Sequence, residues 1–183
     1  MAKPLMTLLL LGHFFCPSFA VGEKQSHYES NEIVEMICNQ TSSYSICADA
    51  LYSDRRSQNA GQYTVASIAV VMTYSKATNM RNLMMDLLED PNLAPHNVEA
   101  LQRCCDECDS AVSFIASAYV DLNDETFSDL GRLASMASLA ADNCLAAFGN
   151  DVPPPDLVLS AIQEFKVLLQ ACDAVGNMYC DEL

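Results

Sequence analysis

Residues 98–122 carry a long repeat of apolar side chains. Their positions advance by alternating steps of three and four, the spacing that keeps one face of an α-helix turned toward a core. The repeat consists of Val98, Leu101, Cys105, Cys108, Val112, Ile115, Tyr119 and Leu122. This pattern predicts a long amphipathic helix, with Cys104 on the shoulder of its apolar face, at the edge of the contact with a neighbouring helix.

The first twenty residues have the pattern of a secretory signal peptide. Lys3 provides the positive start, residues 5–15 form a short apolar run, and Ser-Phe-Ala at 18–20 is a small-x-small cleavage sequence. We expect cleavage after Ala20. Because the apolar run is too short to span a bilayer, the mature domain, residues 21–183, is expected to be exported and not to be inserted in a membrane.

Cleavage at this point changes the charge and the cysteine count. It removes Lys3 and Cys16, one each of the nine basic residues and the nine cysteines, and leaves 24 acidic residues and a formal charge of −16. An even number of cysteines in an exported protein favours disulfide bonds. The negative charge argues against nucleic acid and anionic membranes as partners, and it suits either a basic protein partner or simple solubility.

Helical periodicity divides the mature chain into two short helices and four long ones. The short helices flank a Ser/Thr-rich turn at 41–43 and form a hairpin over residues 31–57. The long helices follow over residues 62–177 and are separated or ended by helix-breaking or capping residues, at 90–95, 124–126, 149–155 and 176–177. Since short connections place successive helices antiparallel, the prediction is an all-α fold, an up-down-up-down four-helix bundle preceded by a short N-terminal helical hairpin.

Two disulfides are compatible with this topology. Cys38 and Cys47 lie on either side of the turn in the hairpin, where a bridge would close a small loop. Cys104 and Cys144 fall near the same end of adjacent antiparallel helices, so the geometry permits a second bridge.

The remaining cysteines leave alternatives open. Cys172 and Cys180 are too far apart within one continuous helix, but a chain reversal at Gly176 would allow them to pair. The rival pairing of Cys108 with Cys172 would cross the diagonal of the bundle at different heights. Cys105 is interpreted as a small core residue.

Chemistry-bearing patterns are weak throughout the chain. The Cys105-x-x-Cys108 spacing is found in redox and metal sites, but the adjacent acidic residues oppose a thiolate, which favours structural thiols. His27 and His96 lack the spacing of metal ligands, and no nucleophile-elbow motif occurs. We therefore predict no catalytic residue, metal or cofactor. Asn39 begins an Asn-Gln-Thr glycosylation sequence in the exposed hairpin turn.

Four groups of residues, taken together, resemble the motifs of plant invertase and pectin methylesterase inhibitors. Their order and spacing agree with that family across nearly the whole mature chain. The groups are Cys38-x-x-Thr41 to Cys47, Leu51-x-Ser53-Asp54-x-x-Ser57, Ala100-Leu101-x-x-Cys104 with Ala111, and Leu139 to Cys144 followed by Phe148.

The resemblance implies a helical hairpin leading into a four-helix bundle, with bridges between Cys38 and Cys47 and between Cys104 and Cys144. It also implies a non-catalytic protein that binds intact over the substrate cleft of pectin methylesterase or acid invertase, in the apoplast and cell wall or in the vacuole. The family commonly has Tyr where Cys108 stands. A Pro-Lys-Phe sequence associated with many invertase-type members is absent, which favours pectin methylesterase.

The resemblance leaves the inhibitory face unassigned, and exposed positions of the first two long helices are the first to test. One alternative is an eight-cysteine lipid-binding protein. It fits poorly, because no Cys-x-Cys occurs and 56 residues separate Cys47 from Cys104. Another alternative is a helical bundle that does not inhibit and acts in signalling or storage.

Overall fold

The computed structural model describes residues 30–123, 127–149 and 153–180. These ranges contain six α-helices and two short 3-10 turns, and no strand. The helices are α1 (Glu32–Cys38), α2 (Tyr44–Tyr52), α3 (Gln62–Leu88), α4 (Pro95–Asn123), α5 (Leu130–Ala146) and α6 (Asp156–Cys180). The expected signal peptide at 1–20 and the expected helix cap at 124–126 lie outside the described residues.

The four long helices form the bundle. Each of α3, α4 and α5 packs against the next helix along the chain, and α6 closes the bundle against α3. The predicted all-α bundle with its N-terminal hairpin is therefore confirmed. Pro95 begins α4, where the missing amide hydrogen costs nothing, and Gly149 takes a φ of 71° in the turn after α5. Within the described ranges, no helix has the length and apolar content that crossing a bilayer requires.

The buried face of α4 is rotated by about a sixth of a turn from the predicted one. Tyr119, predicted to point inward, is 43% exposed, whereas Cys104, predicted on the shoulder, is fully buried. The buried positions of α4 are Ala100, Leu101, Cys104, Cys108, Ala111, Ile115, Ala118 and Leu122. Ala100, Ala111 and Ala118 complete this face, and their small side chains lie outside the predicted repeat of larger apolar residues. Tyr119 lies on the side of α4 that faces α3 instead, where it lines a surface groove with Val71 and Tyr74.

Both predicted disulfides are present. Cys38 and Cys47 join the ends of the hairpin turn, with Cα atoms 5.4 Å apart. Cys104 and Cys144 join α4 to α5 with Cα atoms 4.4 Å apart. All four residues are completely buried, so each bridge also contributes to the core.

Asn31 connects the hairpin to the start of the bundle. Its Oδ1 accepts a hydrogen bond from the Ile33 amide at 2.9 Å and so caps α1. Its Nδ2 donates to the carbonyl oxygens of Ser57 (2.7 Å) and Ala60 (2.9 Å), and its backbone amide donates to the Tyr52 hydroxyl (2.8 Å). One side chain thus fixes the hairpin against the connection to α3.

A carboxylate holds the two hairpin tyrosines. Glu35 accepts hydrogen bonds from Tyr44 at 2.7 Å and from Tyr52 at 3.2 Å. The hydrogen bond to Glu35, followed by burial, raises the pKa of Tyr44 to about 12. Since the folded-state pKa is raised, the stability that this bond contributes is complete below the ordinary value of 10.0 and is lost as the pH rises toward 12.

Absorbance at alkaline pH tests this contact. Because the chain has no Trp, phenolate absorbance can be followed directly. The difference between the titration curves of the wild type and Tyr44→Phe should have its midpoint near 12, and the same difference measured in a Glu35→Gln background should move toward 10. A midpoint near 10 in the wild type would contradict the hydrogen bond.

The predicted end of the last helix is wrong. The sequence predicts a helix end at Gly176 and Asn177, where a chain reversal would allow Cys172 to pair with Cys180, but α6 continues to Cys180, and Cys172 is a free thiol. The predicted bridge between Cys172 and Cys180 is therefore excluded, since both lie in one helix. Gly176 serves close packing instead: a Cβ atom there would lie 3.1 Å from the backbone nitrogen of Gly131 in α5.

Gly176→Val should destabilise the fold by about 2 to 3 kcal/mol, because its branched side chain must displace backbone atoms of α5. Equilibrium urea unfolding measures the change. Gly61→Val is a suitable control, since a Cβ atom there would meet nothing within 4 Å. Equal stability of the two variants would show that the backbone of α5 can move away from α6 at this crossing without a cost in free energy.

Candidate interaction surface

Helices α4 and α5 are the two long helices that make no substantial contact with the hairpin. Helices α1 and α2 pack against α3 and α6, so the hairpin does not cover the outer side of α4 or the surface along its two flanks. Helix α6 lies diagonally across the bundle, since α4 packs against α3 on one flank and α5 on the other. These two flanks and the outer side of α4 are called the α4 surface below.

The α3 flank of this surface contains an apolar groove. Val71, Tyr74, Ala116 and Tyr119 line it, and its volume is about 320 Å³. The two tyrosines stand with 42% and 43% of their surface exposed. Tyrosine offers a large contact area with few rotatable bonds, and it is enriched among residues that dominate protein–protein affinity.

Cross-links between α3 and α4 hold the groove at both ends. At one end Arg81 of α3 forms an ion pair with Asp109 of α4. At the other end the Tyr63 hydroxyl donates to the carbonyl oxygen of Leu122 at 3.3 Å, and the Tyr63 ring packs edge-on against Phe127. The groove is therefore present in the free protein, so a partner would not have to order it.

The α5 flank has a different character. A depression of about 320 Å³ lies beside the buried Cys104–Cys144 bridge, between α4 and α5. Its lining is mainly polar or small, and consists of Arg103, Asp106, Glu107, Asn143, Ala146 and Ala147. Arg103 donates to Glu99 at 2.9 Å within the same helix. This flank can form polar contacts beside the apolar groove.

Acidic side chains predominate on α4 between the two flanks. Its exposed carboxylates include Glu99, Asp106 and Asp109, whereas Arg103 is the one Lys or Arg residue of this helix. Exposed apolar surface continues at Val120, which is 57% exposed. An acidic helix with an aromatic groove on one flank is complementary to a basic protein surface that presents apolar side chains.

The free thiols are unsuited to redox chemistry or metal binding, both of which need a thiolate. Burial raises the pKa of Cys108 and of Cys172 to about 12, and burial is also the main cause of the raised pKa of Cys105. The Cys172 sulfur lies 3.2 Å from the Thr73 hydroxyl, inside the core. The values for Cys108 and Cys172 agree with the prediction of structural thiols, although burial outweighs the neighbouring acids as the cause. Cys105 is only half-buried at the edge of the core, so its interpretation as a core residue is wrong. No cluster of potential metal ligands occurs among the residues that the structure describes.

The residues of the two disulfides and the glycosylation sequence fall into two groups. Cys104 and Cys144 lie beside the α4 surface, whereas the Cys38–Cys47 bridge and Asn39 lie on the hairpin, on the α6 side. The groove tyrosines were not singled out from the sequence. The apolar repeat predicts Tyr119 on the core face of α4. Tyr74 comes directly after the buried Thr73 in α3, so it lies next to the core face in sequence without belonging to it. Two exposed aromatic residues on neighbouring helices indicate a groove only when the relative position of the two helices is known.

Comparison with known proteins identifies the family. The family model of plant invertase/pectin methylesterase inhibitors matches residues 32–174. A cell wall/vacuolar inhibitor of fructosidase from Arabidopsis thaliana is 31% identical over 143 residues, which cover 78% of this chain and 76% of that protein.

Two solved structures share the fold. The crystal structure of a mutant form of a pectin methylesterase inhibitor from Arabidopsis superposes with a TM-score of 0.70 at 23% identity, over 81% of this chain and 97% of that one. That of a pectin methylesterase inhibitor from Arabidopsis thaliana gives 0.61 at 21% identity, over 82% and 97%. With the family model spanning both the hairpin and the bundle, the chain belongs to the plant invertase/pectin methylesterase inhibitor family.

Proposed function

We propose that this protein inhibits pectin methylesterase by binding, as an intact domain, over the substrate cleft of the enzyme. The match of the family model to residues 32–174 carries the proposal. The structure supports it because a bundle with two disulfides and a preformed groove has little conformational entropy to lose on binding. The protein itself needs no catalytic residue for this role.

Acid invertase is the second candidate target. The Arabidopsis relative at 31% identity is named as an inhibitor of fructosidase, which favours this enzyme class. The absence of a Pro-Lys-Phe sequence favours pectin methylesterase. The two candidates therefore rest on independent observations, and one experiment separates them.

Titration of purified protein against both enzyme classes tests the proposal. Residual pectin methylesterase and acid invertase activities are measured at increasing inhibitor concentration, at fixed salt. Stoichiometric loss of one activity identifies the target. If no isoform of either class is inhibited, the alternative of a non-inhibitory bundle is favoured. Displacement of a fluorescent fatty acid tests the lipid-binding alternative, because a close-packed bundle should leave no room for an acyl chain.

The α4 surface is the proposed contact with the enzyme. Its carboxylates suit a basic rim around the cleft, so the complex should depend on pH. Asp and Glu side chains ordinarily take up protons near pH 4, so affinity should fall as the pH is lowered from about 7 to about 4. Dissociation constants measured across this range at constant ionic strength provide the check. A flat profile would remove the electrostatic part of the proposal.

The proposed location is outside the cytoplasm, in the cell wall, with the vacuole as the second location. The signal-peptide pattern at residues 1–20 supports export, and the fructosidase inhibitor of Arabidopsis is named for both compartments. The N-terminal sequence of the mature protein recovered from plant tissue would test cleavage after Ala20.

A further inference from the structure

The chain contains one Asn-x-Ser/Thr sequence, Asn39-Gln40-Thr41, and the fold places it in the turn between α1 and α2. Asn39 and Gln40 are exposed. We infer that Asn39 carries an N-linked glycan, and that this glycan is attached before the Cys38–Cys47 disulfide closes the turn. The inference concerns a modification site and the order of two events in folding.

In the folded protein the acceptor sequence is already engaged. The Thr41 hydroxyl donates to the carbonyl oxygen of Cys38 at 2.8 Å, and the Thr41 amide donates to the same oxygen at 3.1 Å. The Gln40 amide donates to the carbonyl oxygen of Ile37 at 3.1 Å. Asn39 has helical backbone angles, with φ at −65° and ψ at −15°. The whole acceptor sequence is thus folded into a tight turn.

The hydroxyl group two positions after Asn is what distinguishes an acceptor sequence from any other asparagine, so the oligosaccharyltransferase must reach both Nδ2 of Asn39 and the Thr41 hydroxyl. In the transfer, Nδ2 of Asn39 forms a bond to the anomeric carbon of a lipid-diphosphate-linked oligosaccharide. The lipid diphosphate leaves, and the amide nitrogen loses one proton. Because the folded turn holds the Thr41 hydroxyl on Cys38, the transfer must precede formation of the turn.

Two further contacts keep the turn closed once it has formed. The disulfide joins residues nine apart in sequence, and both cysteines are fully buried. The Ser42 amide donates to Oε1 of Gln170 in α6 at 2.7 Å, which fixes the turn against the bundle. Reopening the acceptor sequence would require breaking tertiary contacts as well as the local hydrogen bonds.

The position of the turn also fixes where the glycan lies. Helix α6 is diagonal to α4, so a glycan beside Gln170 leaves the α4 surface uncovered. Glycosylated protein should therefore inhibit as well as deglycosylated protein, within about twofold. This consequence rests on the proposed function, whereas the glycan and its timing do not.

Transfer to purified protein tests the order of events. Bacterially produced protein with both disulfides formed is incubated with solubilised oligosaccharyltransferase and a lipid-linked oligosaccharide. We expect no transfer to the oxidised protein, and transfer to the same chain after reduction and alkylation in denaturant. Equal transfer to the oxidised protein would overturn the order, and no transfer to the reduced chain would overturn the site.

Secretion from a eukaryotic host tests the site in the full chain. Intact mass should fall by one core glycan after peptide-N-glycosidase digestion, and Asn39→Gln should lack this mass. In a Thr41→Ser background, where the acceptor is weaker, Cys47→Ala should increase occupancy. Cys144→Ala in the same background is the matched control and should leave occupancy unchanged. Absence of the glycan, or equal occupancy in both cysteine variants, would contradict the inference whether or not the protein inhibits an enzyme.

Discussion

Replacing Cys104 and Cys144 together by alanine should lower the free energy of unfolding by about 4 kcal/mol. The bridge joins positions 40 residues apart, so it removes a large share of the conformations open to the unfolded chain. It is also fully buried between α4 and α5, so its loss leaves unfilled space in the core. Equilibrium urea unfolding followed by circular dichroism measures the change.

The Cys38–Cys47 bridge provides a matched comparison. Its cysteines are nine residues apart, so the same replacement should cost about 3 kcal/mol. Its loss frees only the hairpin turn, whereas loss of the α4–α5 bridge affects the helix that carries the proposed contact. If the short-loop variant proved the less stable one, packing of the hairpin against α3 and α6 would outweigh chain entropy.

The fold was predictable because its signals are local. Helical spacing, Pro95 at a helix start and the breaks between helices gave four long antiparallel helices, and this order placed Cys104 beside Cys144. Gly176 was misread because a glycine that ends a helix and one that permits a close crossing look alike in sequence. The 3.1 Å approach to Gly131 that distinguishes them is a tertiary contact.

The candidate surface was less predictable than the fold. Its location depends on which face of α4 is buried, and Ala100, Ala111 and Ala118 decide this by packing closely while contributing little apolar area. Periodicity weighted by hydrophobic size assigned Tyr119 to the core. The structure instead places it opposite Tyr74, across a groove that no single helix reveals.

Alanine at both Tyr74 and Tyr119 should weaken inhibition by at least about 30-fold, because truncating a central aromatic at an interface costs about 2 kcal/mol or more. The fold should lose little, since both rings are more than two-fifths exposed. The inhibition constant against the target enzyme and the urea midpoint are measured on the same preparation, so that a loss of folding is not mistaken for a loss of contact.

Tyr44→Ala is the matched control, because it removes the same side chain at 41% exposure from the hairpin. It should inhibit like the wild type if the α4 surface makes the contact. The opposite pattern, with Tyr44→Ala impaired and the groove variant active, would move the contact to the hairpin. The Asn39 glycan would then lie beside the enzyme, and its removal should change the inhibition constant, so the two experiments together determine which face of the bundle meets the target.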